Sequence, residues 1–140
     1  MNKYSIVFAL SLAFLTISCV NSQTNSVETV ESSEIIENVD SKTFKESISG
    51  IKGTLLDVRT PEEWAEGIIK GAEKIDFYDD NFSKNIEKLD KSIPVFIYCR
   101  SGGRSSEAAT ILKEKGFSKV YNLEGGISAW IEDGNEVVKN

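Results

Sequence analysis

The chain has 140 residues, 40% of them hydrophobic and 27% charged, which suits one globular domain with some tail left over. A net charge of -6 without any basic stripe argues against binding a nucleic-acid phosphate backbone. With no histidine and two cysteines, Cys19 and Cys99, the chain has no Ser-His-Asp triad, Cys-His dyad, His-ligated metal or tetrathiolate site.

The N-terminal stretch MNKYSIVFALSLAFLTISC sets Lys3 before an apolar run from Ile6 to Ile17, then Ser18 and Cys19. About a dozen apolar residues are too few to span a bilayer and suit the core of a signal peptide. The end of the run resembles a bacterial lipoprotein signal, in which a small residue precedes a cysteine that is lipidated and becomes the new N-terminus. Ser18-Cys19 matches that pattern; Thr16 stands where leucine is usual, and Leu15 lies one place further back. The resemblance implies removal of residues 1–18, a lipid on Cys19 and a membrane anchor in the bacterial cell envelope. The domain would then face the periplasm or the exterior, or be secreted to the periplasm. With the Cys19 sulfur held in a thioether, Cys99 is left as the free thiol. Residues 19–34 are polar and aperiodic and read as a flexible tether. Residues 35–140 remain for the folded domain.

Within that domain, SKTFKESISGI sets Phe44, Ile48 and Ile51 at helical spacing, with Asp40 or Ser41 as the cap. TLLDVR, Thr54 to Arg59, is a short apolar strand ending in charges. TPEEW predicts a helix start, with Thr60 as N-cap, Pro61 at the first helical position and Glu63 closing a capping box; Gly67 ends it. Trp64 is expected to anchor this helix in the core. GAEKIDF predicts a strand, and DDNFSKNIEKLD a helix with Phe82, Ile86 and Leu89 on one face.

IPVFIYC, Ile93 to Cys99, is a nearly continuous apolar run, as expected of a strand buried on both faces. A helix follows, with Ala108, Ile111 and Leu112 on one face and Gly116 at its end. SKVYNL predicts a strand, GGISAWIEDG a helix carrying Ile127, Trp130 and Ile131, and EVV a last short strand. Strands alternating with helices predict an α/β domain with a small, mostly parallel central sheet flanked by helices. Ligands of such sheets bind outside the carboxyl ends of the strands, where Cys99 stands.

The loop CRSGGRS must turn sharply from that strand end into the next helix. Gly102 and Gly103 permit positive φ and close approach to a ligand. The amides of Arg100 to Ser105 are then free to converge into an anion-binding nest. Arg100 and Arg104 add positive charge, which favours the Cys99 thiolate and lowers its pKa. An activated thiolate facing an oxyanion cradle is suited to nucleophilic catalysis without histidine. The plain alternative is a buried cysteine acting as a small hydrophobe beside an ordinary glycine loop.

Four segments in order, LLDVRTPEEWAEG, IIKGAEKI, CRSGGRS and YNLEGGISAW, resemble those of rhodanese-like domains, the single-domain sulfurtransferases. The resemblance covers about residue 35 to the end and implies a rhodanese-like fold. It implies that Cys99 takes the outer sulfur of a donor such as thiosulfate, releases sulfite and carries a persulfide, which cyanide or a thiol collects. Arg100, Ser101, Gly102, Gly103, Arg104 and Ser105 would bind the donor, the two arginines taking its sulfonate. Asp57 and Arg59 match the family's Asp-x-Arg and would support the loop, or form a plain ion-pair network with Glu62 or Glu63. Gly125, Gly126 and Trp130 would supply a tight turn and a packed aromatic. The chemistry calls for no metal and no organic cofactor, and nothing demands a partner subunit, so a monomer is expected. Gly67-Ile68-Ile69 departs from the family's usual Gly-His-Ile.

Three rival readings remain, one of them a redox protein forming mixed disulfides, which with one free thiol could not use an internal two-cysteine cycle. Cysteine-dependent phosphatases and arsenate reductases share the nest logic, but their His-Cys-x5-Arg pattern is absent. Tyr98 precedes Cys99, and four residues separate Cys99 from Arg104. A non-catalytic rhodanese-like binding module is the rival from another class; the intact cysteine loop speaks against it.

Overall fold

The computed structural model describes residues 34–139. The segment 1–18, Cys19 and all but the last residue of the 19–34 tether lie outside the described residues. Five strands and five helices follow in the order β1 (Ile36–Val39), α1 (Ser41–Gly50), β2 (Thr54–Asp57), α2 (Pro61–Glu66), β3 (Glu73–Lys74), α3 (Phe82–Ile86), β4 (Val95–Tyr98), α4 (Gly103–Glu114), β5 (Val120–Leu123) and α5 (Gly126–Glu132). All five strands are parallel, in the order β1-β5-β4-β2-β3.

The central strand explains its own composition. Every residue of β4 is buried. Val95, Ile97 and Cys99 pack with Phe82 and Ile86 of α3 and with Ala108, Ala109 and Leu112 of α4. Phe96 and Tyr98 point the other way, into a cluster with Phe44 of α1 and Ile127 and Trp130 of α5. A strand covered on both faces must be apolar at every position rather than at alternate ones. The aromatics of the second cluster meet edge to face, Phe44 lying 5.9 Å from Phe96 and 6.3 Å from Trp130.

The topology also marks a crevice at the strand ends. From β2 the chain moves outward to β3; from β4 it moves the opposite way to β5. The order reverses between β2 and β4, and their carboxyl ends open the crevice used by ligands in such sheets. Asp57 pairs in register with Tyr98 there, one residue before Cys99.

Several elements differ from the expectation. Strand β1 lacked a sequence signal, because three of its four residues are polar or at most half-buried. The strand expected over GAEKIDF is two residues long, at the sheet edge, although Ile75 and Phe77 still donate to the carbonyls of Asp57 and Val58. EVV forms one antiparallel bridge, Val138 with Ile68, instead of a strand. Ile131 is 51% exposed, on the outer side of α5. Trp64 does not anchor a core: α2 buries none of its residues, and the Lys74 ammonium lies 5.9 Å over the Trp64 ring. Asp40 is the cap of α1, its carboxylate accepting the Thr43 N–H at 2.7 Å.

Candidate active site

Cys99 stands one residue beyond β4, where the strand hands over to α4, and is 1% exposed. The turn depends on Gly102, whose φ of 103° is open to glycine and strained for other residues. Gly103 begins α4 without a positive φ, so one of the two expected glycines carries the turn. Through this turn the Gly102 N–H points back at the Cys99 sulfur, 3.1 Å away. The Ser105 hydroxyl lies 3.5 Å from the same sulfur and 3.1 Å from the Gly102 carbonyl.

Burial opposes ionisation of the Cys99 thiol, but the donors around it win. The Ser105 hydroxyl and the amides of Ser105, Gly102 and Ser101 hold its pKa below the ordinary value. Oriented dipoles lead the effect, and Arg104, which shares a charge interaction with Cys99, is at the same time paired with Glu63. Its Nη1 and Nη2 donate to the two oxygens of Glu63, both at 2.8 Å. This two-pronged pair holds the Glu63 carboxyl down at about 2, the Arg104 hydrogen bonds outweighing the cost of burial. Glu63 also accepts the Thr60 N–H at 3.1 Å, as the capping box requires. The exposed ring of Tyr78 lies 5.5 Å from the Arg104 guanidinium.

Arg100 is exposed. It lines a cleft of about 140 Å³ with Arg59, Glu66, Ser128 and Ile131. Ser101 is exposed at the crown of the loop and, with Gly102 and Gly103, lines a separate open groove.

Beneath the loop, Asp57 and Arg59 form a buried pair. Arg59 Nη2 reaches Asp57 Oδ2 at 2.7 Å, Nε reaches Oδ1 at 2.9 Å, and Nη2 also donates to the Gly67 carbonyl at 2.7 Å. The partner of Arg59 is therefore Asp57 itself, and Glu63 serves Arg104 instead. Tyr98 lies alongside, its hydroxyl accepting the Ile69 N–H at 3.1 Å. Burial and the adjacent Asp57 carboxylate keep the phenol protonated. Ile68, in the place of the family's histidine, is buried and bonds Val138 through its backbone.

The remaining parts had no local signal. The amides of Ile127 and Ser128 donate to the carbonyls of Cys99 and Arg100, at 2.9 and 3.1 Å. A Cβ on Gly126 would lie 2.5 Å from the Cys99 oxygen and 2.6 Å from the Arg100 carbonyl. The Gly-Gly turn thus lets α5 seat itself directly against the cysteine loop. Glu63 was legible as a helix cap, but its pairing with Arg104 bridges 41 residues. Among the described residues, no group of three or more Cys, Asp or Glu side chains is placed to hold a metal ion.

Comparison with known proteins agrees with this geometry. The sequence model of the rhodanese-like domain family matches residues 40–133. A protein of Allochromatium vinosum named sulfurtransferase is 34% identical over 105 residues, covering 74% of this chain and 96% of that protein. A thiosulfate sulfurtransferase of Pseudomonas fluorescens is 37% identical over 76 residues, covering 54% of this chain and 68% of that protein. The chain spans 21% of the length of a longer relative, a probable adenylyltransferase/sulfurtransferase of Mycobacterium tuberculosis, 42% identical over 82 residues or 59% of this chain. The crystal structure of a rhodanese-related protein from Thermoplasma volcanium is similar at TM-score 0.66 and 30% identity, covering 74% of this chain and 99% of that one.

Proposed function

The chain belongs to the rhodanese-like domain family, and from that premise we propose that it is a sulfurtransferase working through a persulfide on Cys99. It takes a sulfane sulfur from a donor such as thiosulfate and passes it to a thiophilic acceptor, a thiol or cyanide. The observation that carries the reading is the set of donors aimed at the Cys99 sulfur, the Gly102 amide at 3.1 Å and the Ser105 hydroxyl at 3.5 Å. They favour the thiolate, the form that attacks. The names of the relatives from Allochromatium vinosum and Pseudomonas fluorescens support the same class of chemistry.

In the first half-reaction the thiolate attacks the donor's outer sulfur. A new S–S bond forms, the donor's own S–S bond breaks, and sulfite leaves with its electron pair. The outer sulfur then sits about 2 Å beyond Sγ, where the amides from Arg100 to Ser105 serve its negative charge. In the second half-reaction the acceptor attacks that outer sulfur, and Cys99 leaves as thiolate. The acceptor resolves the persulfide, so one cysteine suffices. Asp57 and Arg59 support the loop from below, through the rigid end of β2.

The N-terminal reading belongs to the same proposal. Residues 1–18 are removed, Cys19 carries a lipid, and residues 19–34 tether a monomeric domain at the envelope, facing the periplasm or the exterior.

Intact-protein mass spectrometry before and after thiosulfate tests the persulfide. The expected result is one added sulfur, removed by cyanide and absent from Cys99→Ser. No adduct with thiosulfate or with 3-mercaptopyruvate would overturn the reading and favour a binding module.

A further inference from the structure

We infer that Glu63 is a positioning residue that sets the charge selectivity of the donor site: by occupying Arg104 it favours singly charged sulfur donors over dianions such as thiosulfate. The inference rests on the sulfur-transfer reading above and narrows its donor class.

Arg104 is the cation that ends the cysteine loop, in the first turn of α4. A free guanidinium would offer a sulfonate two parallel N–H bonds. Here Glu63 takes one N–H from each terminal nitrogen, both at 2.8 Å, and sets its negative charge against the guanidinium; both side chains are 16% exposed. A donor entering the cradle meets a neutralised pair instead of a cation. The second negative charge of thiosulfate is attracted by Arg104 and repelled by Glu63, so it gains little. Nor does Arg100 stand as an unopposed cation, since Glu66 lines the same cleft. Beside the pair stands Tyr78, 67% exposed, a flat apolar surface for the organic end of a donor.

Methanethiosulfonate and thiosulfate separate charge from chemistry. With either donor, Cys99 thiolate forms a bond to the terminal sulfur as the S–S bond to the sulfonyl sulfur breaks. The electron pair leaves on methanesulfinate or on sulfite. The donors differ by one charge, a methyl group standing where thiosulfate has an oxygen.

The experiment is steady-state kinetics of both donors with the wild type and Glu63→Gln. Glutamine still accepts the Thr60 N–H, so the cap of α2 is kept. The expected result is a thiosulfate KM lowered on the order of fivefold, with kcat unchanged and the methanethiosulfonate KM shifted less than about twofold. The gain should fade as salt is added. Arg104→Gln, which leaves Glu63 unpaired, should move the donor ratio the opposite way, and it serves alone if Glu63→Gln does not fold. In the Arg104→Gln background the Glu63 change should no longer favour thiosulfate through a freed cation, which a double-mutant cycle reads as coupling. An unchanged donor ratio in both single variants, or equal shifts for both donors, would overturn the inference. If wild-type Cys99 gains sulfur from neither donor by intact mass, the sulfur-transfer reading falls and takes this inference with it. If it gains sulfur from both and the ratio does not move, the inference alone falls.

Discussion

The Ile127 amide donates to the Cys99 carbonyl at 2.9 Å, so the helix nearest the C-terminus holds the end of the strand that carries the nucleophile. This contact needs Gly126 to have no side chain. It makes the Gly-Gly turn part of the site's scaffold.

Replacing Gly126 tests that seat. A Cβ there meets the Cys99 and Arg100 carbonyl oxygens at 2.5 and 2.6 Å, and the residue has φ of 58°. Gly126→Ala should therefore lower stability by about 2–4 kcal/mol in urea unfolding, since backbone rather than a flexible side chain must shift. Gly103→Ala is the control. Its Cβ meets nothing within 4 Å and its backbone is helical, so it should be neutral or slightly stabilising.

Ser105 should tune the thiol. Its hydroxyl is the leading favourable contact in holding the Cys99 pKa down against burial. Ser105→Ala should move the midpoint of the pH profile for iodoacetamide alkylation upward, leaving less thiolate at neutral pH. An unmoved midpoint would assign the effect to the loop amides alone.

The Glu63–Arg104 pair should appear in the acid limb of stability. Glu63 is depressed in the folded state, from an ordinary 4.5 to about 2. Its contribution is therefore present above about pH 4.5 and is lost as the pH falls toward 2. Discounted for solvent, it is on the order of 2 kcal/mol. In Glu63→Gln, the drop in unfolding free energy between pH 5 and pH 2.5 should shrink by about that amount.

Asp57 and Arg59 should behave as one unit. Both are buried, at 0% and 3% exposure, and Asp57→Asn leaves the Arg59 guanidinium without its counter-charge. The expected cost is about 3–5 kcal/mol by chemical denaturation. A cost under about 1 kcal/mol would mean that the Gly67 carbonyl and the adjoining cleft satisfy Arg59 unaided.

Local patterns were read well where one side of the physics dominates. The all-apolar run of β4 announced burial on both faces, and Thr60, Pro61 and Glu63 announced the start of α2. Reading failed at the edges. In β1, Glu37 and Asn38 are exposed, so the strand carries little apolar signal, yet it is held by pairing with β5 over four residues. Trp64 looked like a core anchor because its type suggests burial, but α2 is too short and too peripheral to bury a face. The partner of Arg104 was not legible because Glu63 stands on α2, 41 residues away in the chain.

From β2 to α5 the alternation of strands and helices, the place of Cys99 at the end of a buried strand and a glycine turn after it follow from the sequence by itself. Each depends on residues within a few positions of one another, through periodicity, capping and backbone freedom. The tertiary structure alone decided which charges meet. It placed β2 beside β4, so that Glu63 crosses 41 residues to take Arg104, and it brought the α5 amides under the Cys99 carbonyl. Such pairings depend on strand order and register, which a local pattern does not encode. They decide whether the cation beside the thiolate is free to hold a donor or is already held.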